Sequence, residues 1–262
     1  MYNKLKFSTG GKHMLFIITL SLSIFLSCME DDKNNELEKD NSPQDTSALP
    51  VDTGIEDTSD LQLPLDGFGE IDGECGLLVE GPINSTAFVV QNSIDFGNLI
   101  LNDEDLSAGS QEILSDGNLN NGSLYSEIFA FEMLYRCEMA SVLQTETEIE
   151  YDDPNGKKTD LIIEINQQEF GISITRAFNY PPEDPYTQEA AMTLLEDKLS
   201  DIELSSANVS NPTWERQILS IIAYSPEHVS QIISAWENLD ENTKGDTIIY
   251  VTATNGDDQF IY

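Results

Sequence analysis

The chain has 262 residues, with 12 Lys and Arg against 48 Asp and Glu, a formal net charge of −36 and a pI near 4.1. That balance excludes a protein whose affinity comes from coating nucleic-acid phosphates, which requires clustered Lys and Arg. An apolar content of 39% suffices for a packed core, and the one conspicuous apolar stretch lies at the N-terminus, which excludes a polytopic membrane protein.

Charge divides the chain into three parts. Residues 1–27 carry Lys4, Lys6 and Lys12 and no acid. Residues 28–72 carry 14 acids and two Lys, and residues 73–262 carry 34 acids and seven basic residues. The first part reads as an export signal: a basic start, then the thirteen-residue apolar run Leu15 to Ser27, too short to span a bilayer. The run ends at Phe25-Leu26-Ser27-Cys28, which resembles the lipobox of bacterial lipoproteins. The resemblance implies a lipidated Cys28 as the mature N-terminus, with the membrane as partner. Phe25 and Leu26 depart from the usual Leu and small residue, and an ordinary secretory signal is the alternative. Met29 rather than Asp after the cysteine implies, by the same resemblance, the outer membrane of a Gram-negative envelope.

Residues 28–72 are expected to be a disordered acidic linker, since low hydrophobicity and like charge prevent collapse. Asp45-Thr46-Ser47, Asp52-Thr53-Gly54 and Asp57-Thr58-Ser59 form a loose repeat there, without EF-hand spacing. Residues 73–262 are then the folded domain, with 73–122 an N-terminal extension and 123–262 the core. Once Cys28 is taken by lipid, Cys75 and Cys137 remain, an even pair in an oxidising compartment. They are expected to form a disulfide, with two buried thiols as the alternative. His13 and His228 are the only histidines, so a zinc site or a His-based triad is not expected.

Within the extension, Thr86 to Ile94 and Ser110 to Leu114 are predicted as short helices. Ser123 then caps a helix through about Leu143, with Leu124, Ile128, Phe131, Leu134 and Tyr135 at helical spacing. Thr145 to Tyr151 alternates as a strand, and Asn155-Gly156 carries the hairpin signature. Leu161-Ile162-Ile163 opens a second strand, Asn166-Gln167-Gln168 turns, and Phe170 to Phe178 is a third. After Pro181, Pro182 and Pro185 come a helix from Tyr186 to about Ile202 and a strand from Gln217 to Tyr224. A helix from Glu227 to Leu239 opens on Pro226, and Ile248 to Ala253 is a final strand. The order α-β-β-β-α-β-α-β predicts an α/β fold, a mixed sheet flanked by helices.

That order, with Thr159-Asp160-Leu161-Ile162-Ile163-Glu164-Ile165 and Gly171-Ile172-Ser173-Ile174-Thr175-Arg176-Ala177, resembles the PD-(D/E)XK nuclease superfamily over roughly residues 123–255. The resemblance implies a restriction-endonuclease-like core in which a helix Glu, a strand Asp and a Glu-x-Lys strand converge on a divalent metal. Asp160 matches the strand Asp, and Glu127 the helix Glu, with Glu132 as a second candidate. On the third strand Ser173 stands at the acid position and Thr175 at the Lys position. Two carboxylates hold Mg²⁺ less firmly than three, and Thr175 supplies no charge. Glu164 shares a strand face with Asp160 but lies about 13 Å away, too far to share an ion. Lys198, bordering the packed face of the following helix, is a substitute cation, with a surface Lys as the plainer reading. Arg176 points to the opposite face, where an ion pair is expected.

The expectation for function is an envelope protein whose nuclease-like domain has lost its catalytic set and serves binding or scaffolding, without a cofactor. The alternative is a metal-dependent hydrolase of phosphodiesterase type with a rewired centre of Glu127, Asp160, Ser173 and Lys198, using Mg²⁺. A third reading makes the acidity itself the function. The acidic domain repels free nucleic acid, which argues against that partner, and the sequence names no protein partner.

Overall fold

The computed structural model describes residues 62–80, 86–98, 102–119, 122–181, 184–212, 214, 216–256 and 258–261. The expected signal segment, Cys28 and most of the expected linker lie outside these. In chain order the elements are β1 (Glu70–Gly73), α1 (Leu77–Glu80), β2 (Phe88–Asp95), α2 (Ala108–Asp116), α3 (Leu124–Glu138), β3 (Ser141–Thr145) and β4 (Leu161–Ile165). Then follow β5 (Gln168–Ala177), α4 (Gln188–Asn208), β6 (Arg216–Ala223), α5 (Pro226–Asn238), α6 (Glu241–Lys244) and β7 (Ile248–Ala253). From α3 onward this is the order read from the sequence, with the single turn of α6 added before β7.

One seven-stranded sheet runs β1-β2-β7-β6-β5-β4-β3. β3, β4 and β5 form an antiparallel meander, while β5, β6, β7 and β2 are mutually parallel neighbours. Parallel strands need crossovers, and α4 and α5 supply two of them. Both faces of the sheet are covered. Ile172, Ile218 and Tyr250 pack with Phe131 and Leu134 of α3, while Leu219, Ile221 and Val251 pack with Leu195 of α4 and Ile232 of α5. Burial on both sides explains why every residue of β6 and β7 is buried and why apolar residues dominate both strands. The fold is α/β, a mixed sheet flanked by helices.

Several boundaries differ from expectation. Thr86 to Ile94 is not a helix: β2 occupies Phe88–Asp95, and its buried residues Val90, Asn92 and Ile94 alternate with period two. The helix from Ser123 stops at Glu138 rather than near Leu143, because Met139 takes the left-handed conformation (φ 55°) and its N–H closes onto Leu134 and Tyr135 carbonyls. The strand expected at Thr145 to Tyr151 therefore lies earlier, as β3. Asn155-Gly156 is not the hairpin turn either. Its loop packs on α4, where the Asn208 amide bridges the carbonyls of Asp153 and Lys157. The tight hairpin is Asn166-Gln167 between β4 and β5, both with positive φ.

The linker was expected to run to residue 72, but residues before 72 already belong to the fold. Phe68 is fully buried against Phe96 and Phe129, and β1 pairs with β2. The segment is pinned to α3 by the Arg136 guanidinium, which donates to the carbonyls of Pro64 and Asp66. Cys75 and Cys137 are joined by a disulfide, with Cα atoms 4.4 Å apart, tying the start of α1 to the end of α3. Among the described residues, no helix is long and apolar enough to cross a membrane.

Candidate functional site

Glu127 in the first turn of α3 and Lys198 in the middle of α4 both act electrostatically on Asp160 of the β3–β4–β5 meander. Asp160 immediately precedes β4. Its N–H donates to the Ile172 carbonyl at 2.9 Å, and its Oδ2 accepts the Ile174 N–H at 2.6 Å. Asp160 thus grips the two residues flanking Ser173. Because Ile172 and Ile174 belong to the α3-side core, alternation turns Ser173 and Thr175 toward α4. Ser173 is buried and Thr175 half-buried. Tyr151 fixes the approach to Asp160: its hydroxyl donates to the Thr159 carbonyl at 2.9 Å and accepts the Thr159 N–H at 3.2 Å.

Glu127 lies in the first turn of α3 and is 2% exposed. Its Oε1 accepts from Asn118 Nδ2 at 2.7 Å and from Ser123 Oγ at 3.1 Å, while Oε2 is buried without a partner. The second helix acid, Glu132, is committed elsewhere: Arg136 Nε donates to it at 2.9 Å, and it accepts the Ser107 N–H. That leaves Glu127 as the α3 acid that acts on Asp160.

Sequence reasoning missed Glu146. It is the first residue past β3, and Thr145 pairs with Leu161, so Glu146 and Asp160 leave adjacent strands at the same level. Glu146 is 6% exposed, and its Oε2 accepts the Leu119 N–H at 2.7 Å. Glu127 and Asp160 both feel neighbouring carboxylates. Burial, reinforced by Glu146, lifts the Glu127 carboxyl to about 7 despite the Asn118 and Ser123 hydrogen bonds. Burial and then Glu127 lift Asp160 to about 7, with Glu146 adding to the rise and the Ile174 N–H and Lys198 opposing it. Lys198 sits three residues after Leu195 and four before Ile202, both buried, so it borders the stripe of α4 that faces the sheet. It is half-buried and has no ion pair within 4.0 Å among the described residues.

The other candidates fall outside this group. Glu164 pairs with Glu169 at the far end of β4. Arg176, on the opposite face, donates to the Ile261 carbonyl and packs over Phe178. His228 is buried between Tyr186 and Tyr224, with Nδ1 2.9 Å from Ser225 Oγ.

The donor set suits a hard divalent cation: two buried carboxylates, Glu127 and Glu146, and the half-buried Asp160, with one Glu127 oxygen that nothing else engages. Glu127, Glu146 and Asp160 do not all come within 4.8 Å of one another. Among the described residues, only Glu112, Asp116 and Glu148, all exposed, do so.

No family model and no solved structure matches the chain. It is similar to the AAC-rich mRNA clone AAC4 protein of Dictyostelium discoideum, 33% identical over 159 residues, which is 58% of this chain. The chain spans 23% of that relative's length, and the relative's name states no activity.

Proposed function

We propose that the domain is a metal-dependent hydrolase of phosphodiesterase type with a restriction-endonuclease-like core, exported and held at the envelope by lipid on Cys28. One observation carries the reading. Glu127 and Asp160 each feel the charge of Glu146, Asp160 also feels Glu127 and Lys198, and Glu127 Oε2 is buried and unpartnered. Glu127 and Asp160 would hold Mg²⁺ or Mn²⁺, with Glu146 as a third acid that compensates for Ser173. A bound divalent ion supplies Lewis-acid polarisation of a phosphoryl oxygen. Lys198 stands in for the cation missing at Thr175, orienting and neutralising a substrate oxygen. Asp160 is anchored on β5 through the Ile174 N–H. The acidic surface favours small, singly charged phosphodiesters over free nucleic acid.

A binding or scaffolding role is the second reading, favoured by Ser173 and Thr175 replacing the strand acid and Lys. The test is turnover of bis(p-nitrophenyl) phosphate by the purified domain with Mn²⁺ or Mg²⁺. Turnover lost in Asp160→Ala and in Lys198→Ala supports the hydrolase. Metal binding without turnover favours the second reading.

A further inference from the structure

Away from the acidic centre, a cavity of about 510 Å³ opens between the C-terminal half of α4, the segment before β6 and the α6–β7 loop. Its size is within the range of small-ligand sites, roughly 300–1,000 Å³. We propose that this cavity binds a neutral, hydroxyl-bearing ring, a saccharide residue, independently of the proposed hydrolytic centre.

Three features of the wall point there. The first is aromatic. Trp214 lies against Gly171, where an added Cβ would stand 2.8 Å from the indole Cε2. Gly171 has no positive φ to explain it, so its bare Cα serves to admit the indole. Trp214 is otherwise packed with Ile149, Ile162 and Val209, and the part of it left at the cavity joins Leu199 and Ile202 in an apolar side that the C–H groups of a ring can contact.

The second feature is hydrogen bonding. Gln217 is 3% exposed; its amide nitrogen donates to Ser206 Oγ, while its Oε1 is buried with no donor. An acceptor without a donor calls for an O–H or N–H. Ser206, Asn242 and Thr243 on the same wall both donate and accept. Hydroxyl groups match such a lining because they do both, whereas carboxylate and ionised phosphate only accept.

The third feature is charge. Arg216 and Lys244 on the wall are balanced by Glu203 and Asp246, and the Arg216 guanidinium already donates to the Asp246 carbonyl. A cavity without net charge, in a chain of formal charge −36, admits neutral ligands and turns anions away.

Both tryptophans of the chain border this region, since Lys244 lies 5.4 Å over the Trp236 ring. Intrinsic fluorescence is therefore a direct readout. The protein is titrated with maltose, cellobiose and N,N′-diacetylchitobiose, with AMP as the charged comparison. At least one sugar is expected to shift the emission saturably, AMP to have no effect, and Asp160→Ala to leave the shift unchanged. Gln217→Leu, and Asn242→Ala at the exposed rim where folding is not at stake, are each expected to weaken half-saturation by about tenfold. No shift with any of the three sugars, a shift retained at full affinity in both variants, or a response to AMP alone would overturn the proposal. Loss of the shift in Asp160→Ala would overturn its independence from the acidic centre.

Discussion

Glu127 and Glu132 stand five residues apart on α3, both almost wholly buried, and only Glu132 has a cation: Arg136 Nε, at 2.9 Å. The two glutamates therefore respond oppositely to the same change. Glu132→Gln leaves Arg136 buried without its counter-charge and is expected to destabilise by about 3–5 kcal/mol. Glu127→Gln removes a charge that has only Asn118 and Ser123 as partners, and in metal-free protein at pH 8 it stabilises by roughly 1–2 kcal/mol. Urea unfolding of the two variants checks both signs.

Metal-free protein is expected to lose stability as pH rises. Glu127 and Asp160 have ordinary values of 4.5 and 3.8 and stand at about 7 when folded. Between about pH 4 and 7 the folded state binds more protons than the unfolded one. Their contribution is thus fully present below about pH 4 and is lost as pH rises through 7. Glu138, raised to about 7 mainly by burial while it caps Leu78 and Val79, adds to the slope. Urea midpoints from pH 4 to 8 measure the total. Mn²⁺ is expected to remove the Glu127 and Asp160 part and leave that of Glu138.

Much of the fold was legible because its signals are local. Apolar-rich runs marked the two-sided burial of β6 and β7, and Pro226 marked the start of α5. The end of α3 was hidden because apolar residues keep helical spacing into Leu143, and the stop is a left-handed Met139, where Gly or Asn is usual. Of the site, Asp160 and Glu127 could be named from topology. Glu146 could not. It is one of 34 acids after residue 72, and only the pairing of Thr145 with Leu161 brings it beside Asp160.

The Cys75–Cys137 bridge closes a loop of 62 residues. Cys75→Ala with Cys137→Ala is expected to cost about 4 kcal/mol in the chain-entropy model. Thermal unfolding of the double variant against the oxidised parent gives the value.

Lipidation at Cys28 predicts a diacylglyceryl-modified N-terminal peptide from the membrane fraction, and release of the protein to the soluble fraction in Cys28→Ser. Mass spectrometry of the mature terminus decides it. A mature chain that begins at another residue contradicts the lipid anchor.

The central claim is that Glu127 and Asp160 hold a divalent ion. Calorimetric titration of the purified domain with Mn²⁺ at pH 7.5 tests it most directly. The predicted result is one saturable site, lost in Glu127→Gln and in Asp160→Ala and retained when the exposed Glu112 and Glu148 are changed to Gln. Absence of saturable binding, or binding that survives Asp160→Ala, would contradict the account.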